Sequence, residues 1–139
     1  MVLQLHPAKP SDADRIATIH LAAFNDNPLL HAQFPTPSSL TALHSILALE
    51  TQHAIQHAQD AKAILVVRDT EREGGEPEQI IGFAKWDLPR EGRKLVLHEG
   101  VTWPDDCRQE WLDKYHGLAE EAKERVVGGR SCYREFCLV

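Results

Sequence analysis

Little in this 139-residue chain points to chemistry built on sulfur, metal or basic charge. It has three cysteines, Cys107, Cys132 and Cys137, and no CxxC spacing among them. That odd count argues against a disulfide framework and reads as reduced thiols in a cytoplasmic protein. No apolar run approaches the roughly 20 residues that cross a bilayer. The opening MVLQLHPAKP lacks the basic start and long apolar stretch of a secretory leader. Lysine and arginine number 15 against 21 acids, a net charge of −6. Such a balance argues against nucleic-acid and membrane-surface partners, since phosphate binding needs a cationic face. No Ser-His-Asp arrangement, nucleophile elbow, repeat, linker or low-complexity segment stands out, and the whole of 1–139 reads as one domain.

What the chain does have is ordinary globular material, with 42% hydrophobic and 26% charged residues. Leu3–His6 alternates weakly as a first strand, closed by Pro7 and Pro10. Ser11, with Asp14 three residues on, predicts a capping box, and Ile16, Ile19, Ala23 and Phe24 form a helical stripe over 12–24. Asn25–Pro28 is turn chemistry, and Leu29–Pro37 is a loop or a short helical turn. A second helix, capped near Ser38, runs to about Ala58 on Leu40, Leu43, Leu47 and Ile55. The apolar run Ala63–Arg68 predicts a strand buried on both sides. Ile80–Leu88 is its hairpin partner across the acidic stretch Asp69–Gln79, and Gly82 suggests a bulge or close backbone approach.

Arg90–Pro104 is irregular, with a possible extended piece at Lys94–His98. Asp105 or Asp106 caps a third helix from Cys107 to about Val127, whose stripe is Trp111, Tyr115, Leu118, Ala122 and Val126. Gly128-Gly129 ends it. Ser131–Val139 is a last strand. The expected fold is α/β in the order β-α-α-β-β-α-β, a mixed sheet flanked by helices on both faces.

Pro7–Asp14, Phe24–Pro28 with Leu29–Pro35, the hairpin LVVRD…IIGFAKWDLP and the helix end AKERVVGGRSCYR stand in an order and spacing that resembles one family. That family is the GNAT superfamily of acyl-CoA-dependent N-acyltransferases, in particular the GNAT-like proteins of filamentous fungi. The resemblance covers nearly the whole chain and matches the family's N-terminal part. It implies acetyl-CoA as donor and a small amine as acceptor. It also implies that Cys132–Val139 is the family's fourth strand, beside which the pantetheine arm pairs like an extra strand. Cys137, Leu138 and Val139 would supply that backbone contact.

In the family a loop of the form Arg/Gln-x-x-Gly-x-Gly/Ala follows this strand and wraps the pyrophosphate with backbone N–H groups. These 139 residues contain no such loop, and Gly128-Gly129-Arg130 ends a helix instead of opening one. The expectation is of a domain truncated after its fourth strand. The alternative expectation is a non-catalytic binding, regulatory or dimerisation module, in which the last strand is an exposed edge that adds to a partner's sheet or to a second copy.

Amine acylation needs a base for the ammonium and donors for the thioester carbonyl. By resemblance Glu135 is the candidate base, sharing a face with Tyr133 and Cys137 by alternation. Read by itself it is a strand carboxylate paired with Arg134 or a neighbouring strand. Phe24, Asn27, Trp86 and Asp87 are the acceptor-pocket candidates by the same resemblance. Packing for the aromatics and a turn role for Asn27 are the plainer readings. Glu50, His53 and His57 share a helical face, but HExxH is absent and no further ligand set accompanies them, so no metal is expected.

Overall fold

The computed structural model of this chain describes residues 2–70, 79–88 and 102–128, together with the backbone of 134–138. Among the described residues there are four strands, β1 (Leu3–Pro7), β2 (Lys62–Asp69), β3 (Gln79–Asp87) and β4 (Arg134–Leu138). The helices are α1 (Ala13–Ala23), α2 (Pro28–Gln33), α3 (Pro37–His57) and α4 (Gln109–Val127), with a 3₁₀ turn at Pro10–Asp12. The strands lie in the order β1-β2-β3-β4, and each pairs antiparallel with its neighbour. The sheet is therefore antiparallel rather than mixed. One crossover helix would return the chain parallel; the paired α1 and α3 between β1 and β2 reverse it once more.

Each helix start follows from a particular bond. Asp12, not Ser11, organises the entry to α1. Its carboxylate accepts the Lys9 backbone N–H at 2.7 Å and the Arg68 guanidinium at 2.6 Å. The three-residue spacing of the expected box is kept, displaced two residues toward the N-terminus. Asn27 caps α2, its side-chain oxygen accepting the Leu29 N–H at 2.9 Å ahead of Pro28. Thr36, rather than Ser38, caps α3. It accepts from Ser39 N–H at 3.0 Å while its own N–H donates to Ser39 Oγ at 3.1 Å, and Pro37 takes the first helical position. The α4 N-cap is Arg108, so Asp105 and Asp106 sit in the preceding turn. Asp106 instead accepts the Thr36 hydroxyl.

One core cluster joins α1, α3 and the sheet: Ile16, Ile19, Ala54, Ile64, Val66, Ile80 and Phe83. Fully burying an aliphatic side chain of this size contributes about 1.5–3 kcal/mol. Within β2, Ile64 and Val66 are buried while Leu65 and Val67 are half-buried, so burial on both sides is only partly met. The hairpin register shifts between Val67 and Arg68, which face Gly82 and Ile80, leaving Ile81 as the extra residue. The bulge thus falls beside Gly82, as its place in the strand suggested.

A second cluster, Phe34, Leu43 and Leu112, holds the start of α4, with Trp103 and Cys107 packed against it. Helices are accordingly found on one face of the sheet among the described residues, because α4 docks by its first turn and not along the strands. The expected α4 stripe is exposed except at the half-buried Ala122. Trp111, Tyr115, Leu118 and Val126 show 40%, 48%, 58% and 70% of their surface. Periodicity marked an apolar face, but the buried residue is Leu112, next to that stripe, because Phe34 and Leu43 meet the helix there. Gly128 ends α4 with φ +63°, and its N–H returns to Glu124 O at 2.9 Å. The acidic stretch 71–78 and the extended piece at Lys94–His98 lie outside the described residues.

Candidate functional site

β3 carries a lysine in the middle of an apolar strand, and its side chain turns toward the helices. Lys85 Nζ donates to Thr51 Oγ1 on α3 at 2.7 Å and lies 5.5 Å from the Phe83 ring centroid. His20, one turn beyond Ile16 on α1, stacks on Phe83 with ring centroids 6.4 Å apart and meets Phe24 at 5.3 Å. The result is a band between α1, α3 and β3 in which Phe83 and Thr51 are buried and His20, Phe24 and Lys85 are half-buried.

Its electrostatics follow from burial. Desolvation lowers the Lys85 pKa from 10.5 to about 8, with Glu50 opposing the shift and Lys62 adding to it. Burial, and then the neighbouring Lys85, lowers His20 from 6.5 to about 4, so its imidazole is neutral near pH 7. Cys107 moves the other way. Burial first, then Asp106, Glu110 and Asp105, raises its thiol pKa, which disfavours the thiolate a catalytic cysteine needs.

Of the residues singled out from sequence, Phe24 lies in this band. Asn27 is close by in the chain, its N–H donating to Phe24 O at 2.9 Å, but its side chain is spent on capping α2. Asp87 pairs with Lys62 at 2.9 Å and is mostly enclosed. Trp86 follows Lys85 along the strand, so alternation turns it to the opposite face of the sheet, away from Phe24. On β4 the register sets Glu135 across from Trp86, Cys137 across from Ala84 and Leu138 across from Phe83. Val139 lies outside the described residues. The backbone thus brings Trp86 beside Glu135 and leaves Phe24 and Asn27 across the sheet from Trp86.

The His53 and His57 rings approach to 4.9 Å on the exposed side of α3. Among the described residues no group of three or more His, Cys, Asp or Glu side chains could hold a metal ion. An open cleft of about 320 Å³ lies further along α1, lined by Arg15, Thr18, Ile19, Ala22, Ala23 and Ile81. Arg15 Nε donates there to Ile80 O at 3.0 Å.

His20, Thr51 and Lys85 were not among the residues singled out from sequence. A signal existed for Lys85, which shares the alternation of core-facing Phe83 inside IIGFAKWDL. His20 likewise falls within the apolar stripe of α1.

No protein-family model matches the chain, and no curated protein matches it. Among solved structures it is similar to one described as histone acetyltransferase HPA2 and related acetyltransferase, from Corynebacterium glutamicum. Identity is 21%, the match covers 86% of this chain and 72% of that one, and the TM-score is 0.47. A likeness at that level leaves this chain's activity to be argued from its own residues.

Proposed function

We propose that the chain is a GNAT-like N-acyltransferase domain that moves an acetyl group from acetyl-CoA to a small amine. One observation carries this reading. The helices α1, α2 and α3 separate β1 from β2, α4 separates β3 from β4, and the strands lie side by side in the order β1-β2-β3-β4. Apart from the short α2, this order resembles the one the family implies, and β4 has no described neighbour on its outer side, where a pantetheine arm would pair.

In this reading the acceptor nitrogen attacks the thioester carbonyl, the C–N bond forms and the C–S bond breaks. Glu135 takes the proton that the ammonium must lose, and the backbone of Cys137–Val139 aligns the donor. The Glu135–Trp86 register supports placing the acceptor near the end of β3, with Asp87 beside it. Phe24, packed with His20 on the Phe83 side of β3, and Asn27, whose side chain caps α2, fall outside that pocket. A cytoplasmic location is part of the proposal and rests on cysteine usage; among the described residues no helix is long and apolar enough to cross a membrane.

A second reading is favoured by the same edge. β4 has β3 as its neighbour, and its other side has no described partner strand. It could add to the sheet of a protein partner or of a second copy, making the chain a non-catalytic module.

The test is product formation by mass spectrometry, using acetyl-CoA with polyamine, arylamine and amino-acid acceptors. The enzyme reading expects an acetylated amine whose rate falls about 100-fold in Glu135→Gln. Absence of product across the panel from folded protein, with concentration-dependent dimerisation in sedimentation, would overturn it in favour of the module.

A further inference from the structure

Lys85 is the one described lysine held against neutral groups on the inner side of the sheet. Thr51 is 1% exposed, and its own hydroxyl proton goes to Leu47 O at 2.7 Å, so toward Lys85 it can only accept. The other neighbour is the Phe83 ring face, which attracts a cation weakly. Asp87, two residues on, is already bound to Lys62. Glu50 attracts the ammonium and Lys62 repels it, and burial outweighs both. Lys85 is nevertheless half-buried and not enclosed.

From this setting we infer that Lys85 is a self-acylation site, its amine taking the acyl group of a small acyl thioester. The lone pair attacks the thioester carbonyl carbon, and the tetrahedral adduct expels the thiolate. A C–N bond replaces the C–S bond, and the nitrogen's surplus proton passes to the thiolate or to water. No oxidant or reductant is needed.

Two features favour the step. Burial with a pKa of about 8 leaves about half the amines neutral at pH 8, against about 0.3% for an ordinary lysine. The product suits the site as well. An acyl-lysine is uncharged, so the desolvation penalty disappears, while its amide N–H can still donate to Thr51.

The experiment uses the 139-residue protein and S-acetyl-N-acetylcysteamine between pH 7 and 10, with acylation at each lysine followed by peptide mass spectrometry. The probe carries no nucleotide, so the outcome does not depend on the proposed acetyl-CoA chemistry, which is read from small-amine products. Lys85 should acylate at least 10-fold faster than Lys62 and Lys123 at pH 8, with a rate midpoint near 8. Lys85→Arg should remove that fast signal and leave the other lysines unchanged. Acylation of Lys85 no faster than that of Lys62 and Lys123, in protein shown folded by circular dichroism, overturns the inference. So does a rate that climbs toward pH 10 as theirs does.

Discussion

Arg68 on β2 reaches across to Asp12 at the mouth of α1, closing an ion pair at 2.6 Å with both side chains largely enclosed, 12% and 8% exposed. The same carboxylate oxygen accepts the Lys9 N–H, so one group fixes both the helix entry and its seat on the sheet. Removing Arg68 leaves the buried Asp12 carboxylate with the Lys9 N–H but without its ion-pair partner. Arg68→Ala should therefore cost about 3–5 kcal/mol in urea unfolding. The Asp12→Ala/Arg68→Ala double variant should lose less than the two single losses combined.

The Lys85–Thr51 contact predicts opposite consequences for its two members. Thr51→Val removes the acceptor of a half-buried ammonium and should cost about 1–3 kcal/mol. Lys85→Met removes the charge itself, and the denaturation midpoint should stay near the parent value or rise. Combining the two should recover most of the Thr51→Val loss.

His20 makes stability sensitive to acid. Its folded pKa of about 4 lies below the ordinary 6.5, so the unfolded chain binds the proton first. Stability contributed by the neutral imidazole is complete above pH 6.5 and declines as pH falls toward 4. With screening allowed for, the loss is on the order of 2 kcal/mol. Lys85 acts in a higher window by the same sign: stability rises as pH increases from about 8 to 10.5. Melting curves of His20→Gln should show a shallower decline than the parent between pH 6.5 and 4.

The sequence carried the hairpin and its bulge, because those depend on local alternation, turn residues and Gly82; Pro28–Gln33, which reads as a loop or a short helical turn, is the helix α2. It did not carry the position of α4. Trp111, Tyr115 and Leu118 form a proper helical stripe, but burial depends on what stands opposite, and Phe34 and Leu43 stand opposite Leu112. The candidate site divides the same way. Phe24 was singled out by resemblance as an acceptor-pocket residue and lies against His20, whereas the band of His20, Thr51 and Lys85 arises only when α1 and α3 close over β3. Capping choices shifted by two residues for a related reason: Pro10 and Pro37 fix where a helix can start, and the nearest side chain able to reach back then takes the role.

That difference along α4 is measurable. Leu112→Ala should destabilise by about 2–4 kcal/mol through loss of core packing. Leu118→Glu, at an exposed position, should change stability by less than about 0.5 kcal/mol. A large loss from Leu118→Glu would place the buried face elsewhere.

The N-acyltransferase reading is tested most directly by calorimetric titration of the 139-residue protein with acetyl-CoA. The account predicts saturable binding to one site, weakened by added salt. Heats indistinguishable from dilution up to millimolar acetyl-CoA, with the protein folded throughout, would contradict it.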